Sequence, residues 1–282
     1  MKYRLIYFAL SLLVIIPGVI SLLKFGLKPS IDFTGGTVWE IKINTEKPQP
    51  SLEESLSDDR IVTIEGRASS FIIHAKPLSQ EEHLELKQTL EEKVGEIEEI
   101  RFETVGPTLG KELLQKTLIA VAIAATFILL FIAWRFRELT FGLAALIAMF
   151  HDTFILAGVF SILGVVKGIE VDTLFVTAVL TVLSFSVHDT IVVFDRIRES
   201  RRLYPQASFE ALVNKSVVET LARSINNSMT IIFMLLSLYL LGGDTTKNFA
   251  LALLIGTITG TYSSTFTAAP LLVIFEKRKH AH

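Results

Sequence analysis

Two dipeptides of the same kind stand inside apolar stretches of the chain: His151-Asp152, followed by Thr153, and His188-Asp189, followed by Thr190. A buried carboxyl group takes up and releases protons readily when desolvation raises its pKa and a nearby cation lowers it. Arg223, at the start of a later apolar stretch, is the cation available at a depth comparable to Asp189. Asn226 and Asn227 follow it by three and four residues and so share its helix face. They either solvate the same site or bond neighbouring helices. An ionisable side chain at membrane depth costs roughly 2.5–3.5 kcal/mol on insertion scales, so it faces protein or a water-filled cavity. Two interpretations stay open on these residues alone. Either Asp189 carries protons, with Arg223 as counter-ion and His188 beside it, or the group is a static set of ion pairs and interhelical hydrogen bonds. If the two helices are antiparallel neighbours, one His-Asp pair lies near the midplane and the other nearer the cytoplasm.

The elements that must position these groups are membrane spans. Half of the 282 residues are hydrophobic and the mean hydropathy is +0.51, which points to a multi-spanning membrane protein. A span needs about 20 apolar residues. The runs that qualify are Leu5–Leu23, Leu113–Ala133, Leu139–Leu163, Thr173–Phe194, Ile225–Leu241 and Phe249–Phe275. No convincing small-residue cleavage site stands near Lys24-Phe25-Gly26, so the first run is expected to be a retained helix, kinked at Pro17-Gly18. Lys and Arg sort to one set of short loops (Arg135, Arg137, Arg196, Arg198, Arg201, Arg202) and to both ends of the chain. The expectation is therefore cytoplasmic termini, with 24–112 outside.

The 24–112 segment reads as a small α+β domain. Thr37–Ile43, Ile61–Glu65, Phe71–Lys76 and Glu96–Val105 have strand character, and Ser51/Glu54 and Ser79/Glu82 are capping boxes for two helices. The order β-α-β-β-α-β is ferredoxin-like. At about 75 residues such a domain builds one modest core. The expected architecture is thus 1–23 as a first span, 24–112 as the external domain and 113–282 as a five-helix membrane domain. Within the last, 195–224 forms a cytoplasmic loop. There Ser208 caps a helix to about Ser224 whose face of Phe209, Leu212, Val213, Val217 and Leu221 lies along the membrane surface.

Other motifs are architectural. Asp32-Phe-Thr-Gly35-Gly36-Thr37 and Gly106-Pro107-Thr-Leu-Gly110 suggest tight turns where helix and domain join. Gly256, Gly260 and Ser264 recur every four residues and form a helix-packing stripe. No phosphate-binding loop, metal-ligand spacing or Ser/His/Asp motif is present, so the expectation is a protein that is not an enzyme and holds no metal. Two His-Asp dipeptides are a weak zinc signal. The absence of cysteine excludes disulfides and thiolate chemistry. The basic residues sit beside apolar spans, which argues against nucleic acid as a partner.

Taken together, Asp32–Thr37, Val105–Gly110, His151-Asp152, Asp189–Glu199 with Asp195-Arg196 inside it, Thr220–Arg223, Leu241–Gly243 and Leu254–Gly256 with Gly260–Ser264 resemble the SecD/SecF family of bacterial protein-export membrane subunits. The resemblance implies half of a twelve-helix RND-like assembly, with a SecD partner in the inner membrane beside the SecYEG channel and with YajC a further partner. It implies that the proton gradient drives late export of an unfolded preprotein, with protons as the coupling ion and no other cofactor. It also implies that Asp189 is the essential fourth-span aspartate and Arg223 the fifth-span arginine. His188 departs from the Asn also seen there and adds a titratable group. A passive scaffold and half of a small-molecule exporter are the competing readings.

Overall fold

The computed structural model describes residues 3–43, 58–66, 70–136 and 138–279. They fall into two compact units, Met1–Lys28 with Ile119–His282, and Pro29–Leu118.

In chain order, α1 (Arg4–Phe25) is followed by a four-residue α2 (Ile31–Thr34) and β1 (Gly36–Ile43). Then come β2 (Ile61–Gly66), β3 (Phe71–Ala75), α3 (Gln80–Val94) and β4 (Ile97–Val105). The order across the sheet is β2-β3-β1-β4, and every pairing is antiparallel. This is the strand order of the expected β-α-β-β-α-β pattern. The helix expected at Ser51–Glu54 lies outside the described residues. Ser79 and Glu82 form the expected capping box, and Leu86, Leu90 and Val94, each a turn apart, seat α3 on Trp39, Ile41 and Ile73. Burying side chains of this size supplies about 1.5–3 kcal/mol each, which is what lets so small a unit hold a core.

The long helices are α4 (Pro107–Arg135), α5 (Leu139–Lys167), α6 (Thr173–Leu203) and α7 (Phe209–Leu241). After them α8 (Asp244–Ser263) passes through a π-turn at Ser264–Ala268 into α9 (Ala269–Lys279). Among the described residues six helical stretches are long and apolar enough to cross a membrane, so the chain is a multi-pass membrane protein.

The helix that carries the fourth span, α6, continues through Asp195-Arg196 to Leu203. One boundary differs from those read in the sequence. The segment from Ser208 to Ser224 is not a separate helix on the membrane surface but the first half of α7. The cause is tertiary. Val213 is buried in one cluster with Val193, Phe194 and Ile197, and Phe209 and Val217 pack against that cluster. Ser216 Oγ donates to the Arg196 carbonyl (3.2 Å), and Arg196 bonds Glu219 and Glu199 at 2.6 Å each. The apolar face that suggested a membrane surface is buried against protein instead.

Pro17 also sits inside an unbroken α1, where its neighbour Gly18 has a second role. A β-carbon on Gly18 would lie 3.0 Å from Gly158 Cα of α5. The glycine allows close helix contact.

Candidate proton-handling site among the spanning helices

Asp189 is half-buried midway along α6 and lines a cleft of ≈350 Å³ together with His188, Asn227, Ser228, Thr257 and Gly260. The carboxyl is placed there because Val187 and Thr190, on the other sides of the same turn, are buried in helix contacts. His188 is exposed beside it. Of the two asparagines, Asn227 reaches the cleft, whereas Asn226 is exposed and its carbonyl accepts from Thr230 Oγ1.

Arg223 is not joined to Asp189. It lines a second cleft of ≈500 Å³ with Asp195, Arg196, Glu199, Glu219 and Thr220. Arg223 and Asn227 are successive turns of α7, about 6 Å of helix rise apart, and the two clefts follow one another along that helix. In the second cleft Asp195 pairs with Arg135 and, at 3.8 Å, with Arg198. Arg196 is held by Glu199 of its own helix and by Glu219 of α7, so the Asp195-Arg196 motif ties α6 to the end of α4 and to α7.

His151 and Asp152 form a separate buried network. Asp152 has no exposed surface and His151 is 6% exposed. Asp152 Oδ1 bonds His151 Nδ1 (2.9 Å), Asp152 Oδ2 accepts from Ser263 Oγ (2.6 Å), and His151 Nε2 meets Ser11 Oγ (3.0 Å). No Ser/His/Asp motif shows in the linear sequence, yet the fold lines up Ser11, His151 and Asp152 in that order. Ser11 is buried within the contact of α1 with its neighbours, where no acyl substrate reaches its oxygen. The order therefore suits proton relay rather than nucleophilic attack. Gly260 of α8 lies between the two His-Asp pairs. Gly260 borders the Asp189 cleft, and its β-carbon position is 3.7 Å from Asp152 Oδ2.

The small-residue stripe does pack helices, with one addition. A β-carbon on Gly256 would stand 1.9 Å from Val182 Cγ2 of α6, and Gly260 faces both Ser186 and Asp152. Ser264 opens the π-turn and bonds the Thr261 carbonyl (3.2 Å). Ser11, Ser263 and the Gly18/Gly158 contact were not anticipated; a lone Ser or Gly in an apolar run was the only signal they gave.

In the Pro29–Leu118 unit the two glycine motifs meet each other. Gly35 and Gly36 have φ of 72° and 137°, values that a β-carbon makes costly. A β-carbon on Gly35 would lie 2.8 Å from Pro107 Cα, and one on Gly110 would lie 2.8 Å from the Gly35 nitrogen. Asp32 sits in α2, its backbone N–H bonded to Ser30 Oγ (3.2 Å). Thr37 is fully buried and ties three segments: its Oγ1 bonds the Lys76 carbonyl (3.1 Å) and Thr104 Oγ1 (2.9 Å) and accepts from the Leu78 N–H (3.0 Å). Gly106 has nothing near its β-carbon position.

Residues 85–278 match the family described as protein export membrane protein SecD/SecF, C-terminal, and residues 20–45 match the SecD/SecF GG motif. A protein translocase subunit SecF from Thermobaculum terrenum is 45% identical, over 98% of this chain and 93% of its own length. That from Anaerolinea thermophila is 41% identical over 97% and 92%. A crystal structure of SecDF from Thermus thermophilus, titled a translocon-associated membrane protein, superposes with a TM-score of 0.86 at 34% identity. It matches 98% of this chain, which spans 38% of that one. A SecDF crystal structure titled as a super-membrane-facing form matches the whole chain and 39% of its own, with a TM-score of 0.72.

Proposed function

The chain belongs to the SecD/SecF family of protein export membrane proteins, and from that membership we propose that it is a SecF-type subunit that couples proton movement to export. The observation that carries the reading is the half-buried Asp189 carboxyl in a cleft among spanning helices. Asp189 is the proton carrier, His188 at the cleft mouth modulates it, and Arg223 in the stacked cleft is the gate. Protonation of Asp189 removes its charge, and a shift of α7 by about one turn alters its distance from the Arg223 guanidinium. Conformation and proton uptake are thereby linked. A unit charge moved through the membrane potential yields about 2.3 kcal/mol per 100 mV, enough to bias a two-state equilibrium. The two SecDF structures match this chain at the same identity with different TM-scores, so relatives of one sequence class adopt more than one shape.

The partner is SecD, because relatives in Thermus thermophilus and Bacillus subtilis carry a matching region as 35% and 38% of longer SecDF chains. The assembly works beside the SecYEG channel on an emerging unfolded chain, moves protons and makes no covalent change in its substrate. Both termini are cytoplasmic and the Pro29–Leu118 unit faces outward, as the Lys and Arg bias of the loops requires.

The test is gradient-dependent export from vesicles containing the chain, SecD and the channel. Asp189→Asn keeps size and hydrogen bonding but cannot titrate, so it should assemble normally and lose the gradient-dependent part of export. Wild-type rates at equal assembly would overturn the reading in favour of a scaffold.

A further inference from the structure

The bonds around Asp152 form one series across three elements: Ser263 of α8, Asp152 and His151 of α5, Ser11 of α1. Ser11 Oγ then lies 3.5 Å from Thr267 Oγ1 of the π-turn. One proton sets the direction of the bonds between Asp152, His151 and Ser11, while Ser263 donates to the carboxyl throughout. With Asp152 ionised, His151 donates from Nδ1 and leaves Nε2 to accept from the Ser11 hydroxyl. Add one proton to the carboxyl and it donates to Nδ1 instead. The imidazole proton then resides on Nε2, which donates to Ser11 Oγ, and the Ser11 hydroxyl turns to Thr267. The imidazole is neutral in both states and each contact is satisfied.

We propose that His151 and Asp152 are a second proton-binding site, read out as the direction of the hydrogen bond between α5 and α1. It rests on the reading of Asp189 as the first. A second observation supports it independently of the bonded series. Among the described residues Ser186 Oγ is buried without a partner, and the β-carbon position of Gly260 is 3.6 Å from Ser186 Cα and 3.7 Å from Asp152 Oδ2. An unpaired buried hydroxyl costs stability and is a group that an ordered water would satisfy. Gly260 has the Asp189 cleft on one side, so the two carboxyls are separated by a residue that has no side chain.

Among the described residues the charged and titratable groups facing the site are few. From α6 there is Asp189, whose cleft is bordered by the same Gly260 that faces Asp152. From α8 the Tyr262 ring lies 6.2 Å from that of His151, and its hydroxyl donates to the Tyr7 carbonyl of α1 (2.8 Å). The π-turn offers only the Thr267 hydroxyl.

Nitrogen-15 spectra of the histidine-labelled chain, in complex with SecD in lipid bilayers, read the imidazole directly, and His151→Gln identifies its signals. The wild type should change from the Nδ1–H form to the Nε2–H form as pH falls. The change should be lost in Asp152→Asn and should occur at a different pH in Asp189→Asn. Ser263→Ala keeps every ionisable group and guards against a misfolded Asp152→Asn; in it the change should persist at a displaced pH. One unvarying form of His151 at all pH, or a change that Asp152→Asn and Ser263→Ala both leave where it was, would overturn the proposal. The spectra do not depend on export, so this failure is distinct from wild-type export by Asp189→Asn.

Discussion

Gly18 and Gly158 meet back to back: a β-carbon on Gly158 would stand 2.6 Å from Gly18 Cα. The same separation of 140 residues relates Ser11 to His151 and Ser21 to Ser161 (2.8 Å). A constant offset means that α1 and α5 run parallel and in register, with two hydrogen bonds and one glycine contact along a single seam. Gly158→Leu should force the seam apart. The expected cost is about 1–3 kcal/mol, typical of overpacking, seen as a lower Tm in bilayers or detergent. Gly142→Ala, where nothing lies within 4 Å, is the matched control and should leave Tm unchanged.

Gly256 and Gly260 should part company. Gly256→Ala drives a methyl into Val182 and should reduce Tm and recovery of the complex. Gly260→Ala fits, since its neighbours are at ordinary contact distance, and should assemble normally. Gly260→Leu should disturb gradient-dependent export as well as packing, because the side chain grows toward Asp152 and Ser186. Unaltered export in properly assembled Gly260→Leu would contradict the assigned position.

The Pro29–Leu118 unit has its own pH response. Arg60 donates to Asp58 from its backbone N–H (2.8 Å), Nε (2.9 Å) and Nη2 (2.7 Å), which lowers the Asp58 pKa from 3.8 to about 2. A depressed pKa in the folded state gives stabilisation that is complete above the unfolded value and fades as pH falls through the folded one. Amide exchange in β2 should therefore quicken, beyond its intrinsic pH dependence, as pH drops from about 4 to about 2. Asp58→Asn should show the faster exchange throughout and lose the pH dependence.

Orientation can be checked at Asp59, an exposed turn residue next to that pair. A cysteine placed there in this cysteine-free chain should react with a membrane-impermeant thiol reagent in intact spheroplasts. Labelling only after lysis would invert the topology.

The spans and the sheet were legible in the sequence because both rest on local periodicity and on hydropathy summed over many residues. Ser79 and Glu82 announced α3, and the run Leu139–Leu163 announced α5 by composition. The continuous α7 was hidden because Arg223, Asn226 and Asn227 interrupt an apolar run, and it takes tertiary contacts such as Val213 in one cluster with Phe194 to show that the preceding turns are buried by protein. At the site, residue type was readable and partnership was not. His151 and Asp152 were evident as a pair, but Ser11 is 140 residues from His151 and Ser263 is 111 from Asp152. Arg223 shows the opposite failure: matching depth along the chain suggested a contact with Asp189 that the stacking of two clefts does not make.

The π-turn at Ser264–Ala268 makes the last span two helices in different phase. Upstream, Gly256 and Gly260 address α6; within the turn, Thr267 addresses Ser11 of α1. Each residue of an α-helix turns the chain by about 100°, so losing one residue here would let the span wind as an unbroken α-helix while swinging everything beyond it. Such a deletion would leave length, hydropathy and every named side chain almost unaltered. It would still detach Thr267 from Ser11, so the spacing of this segment is as much a part of the site as the residues it separates.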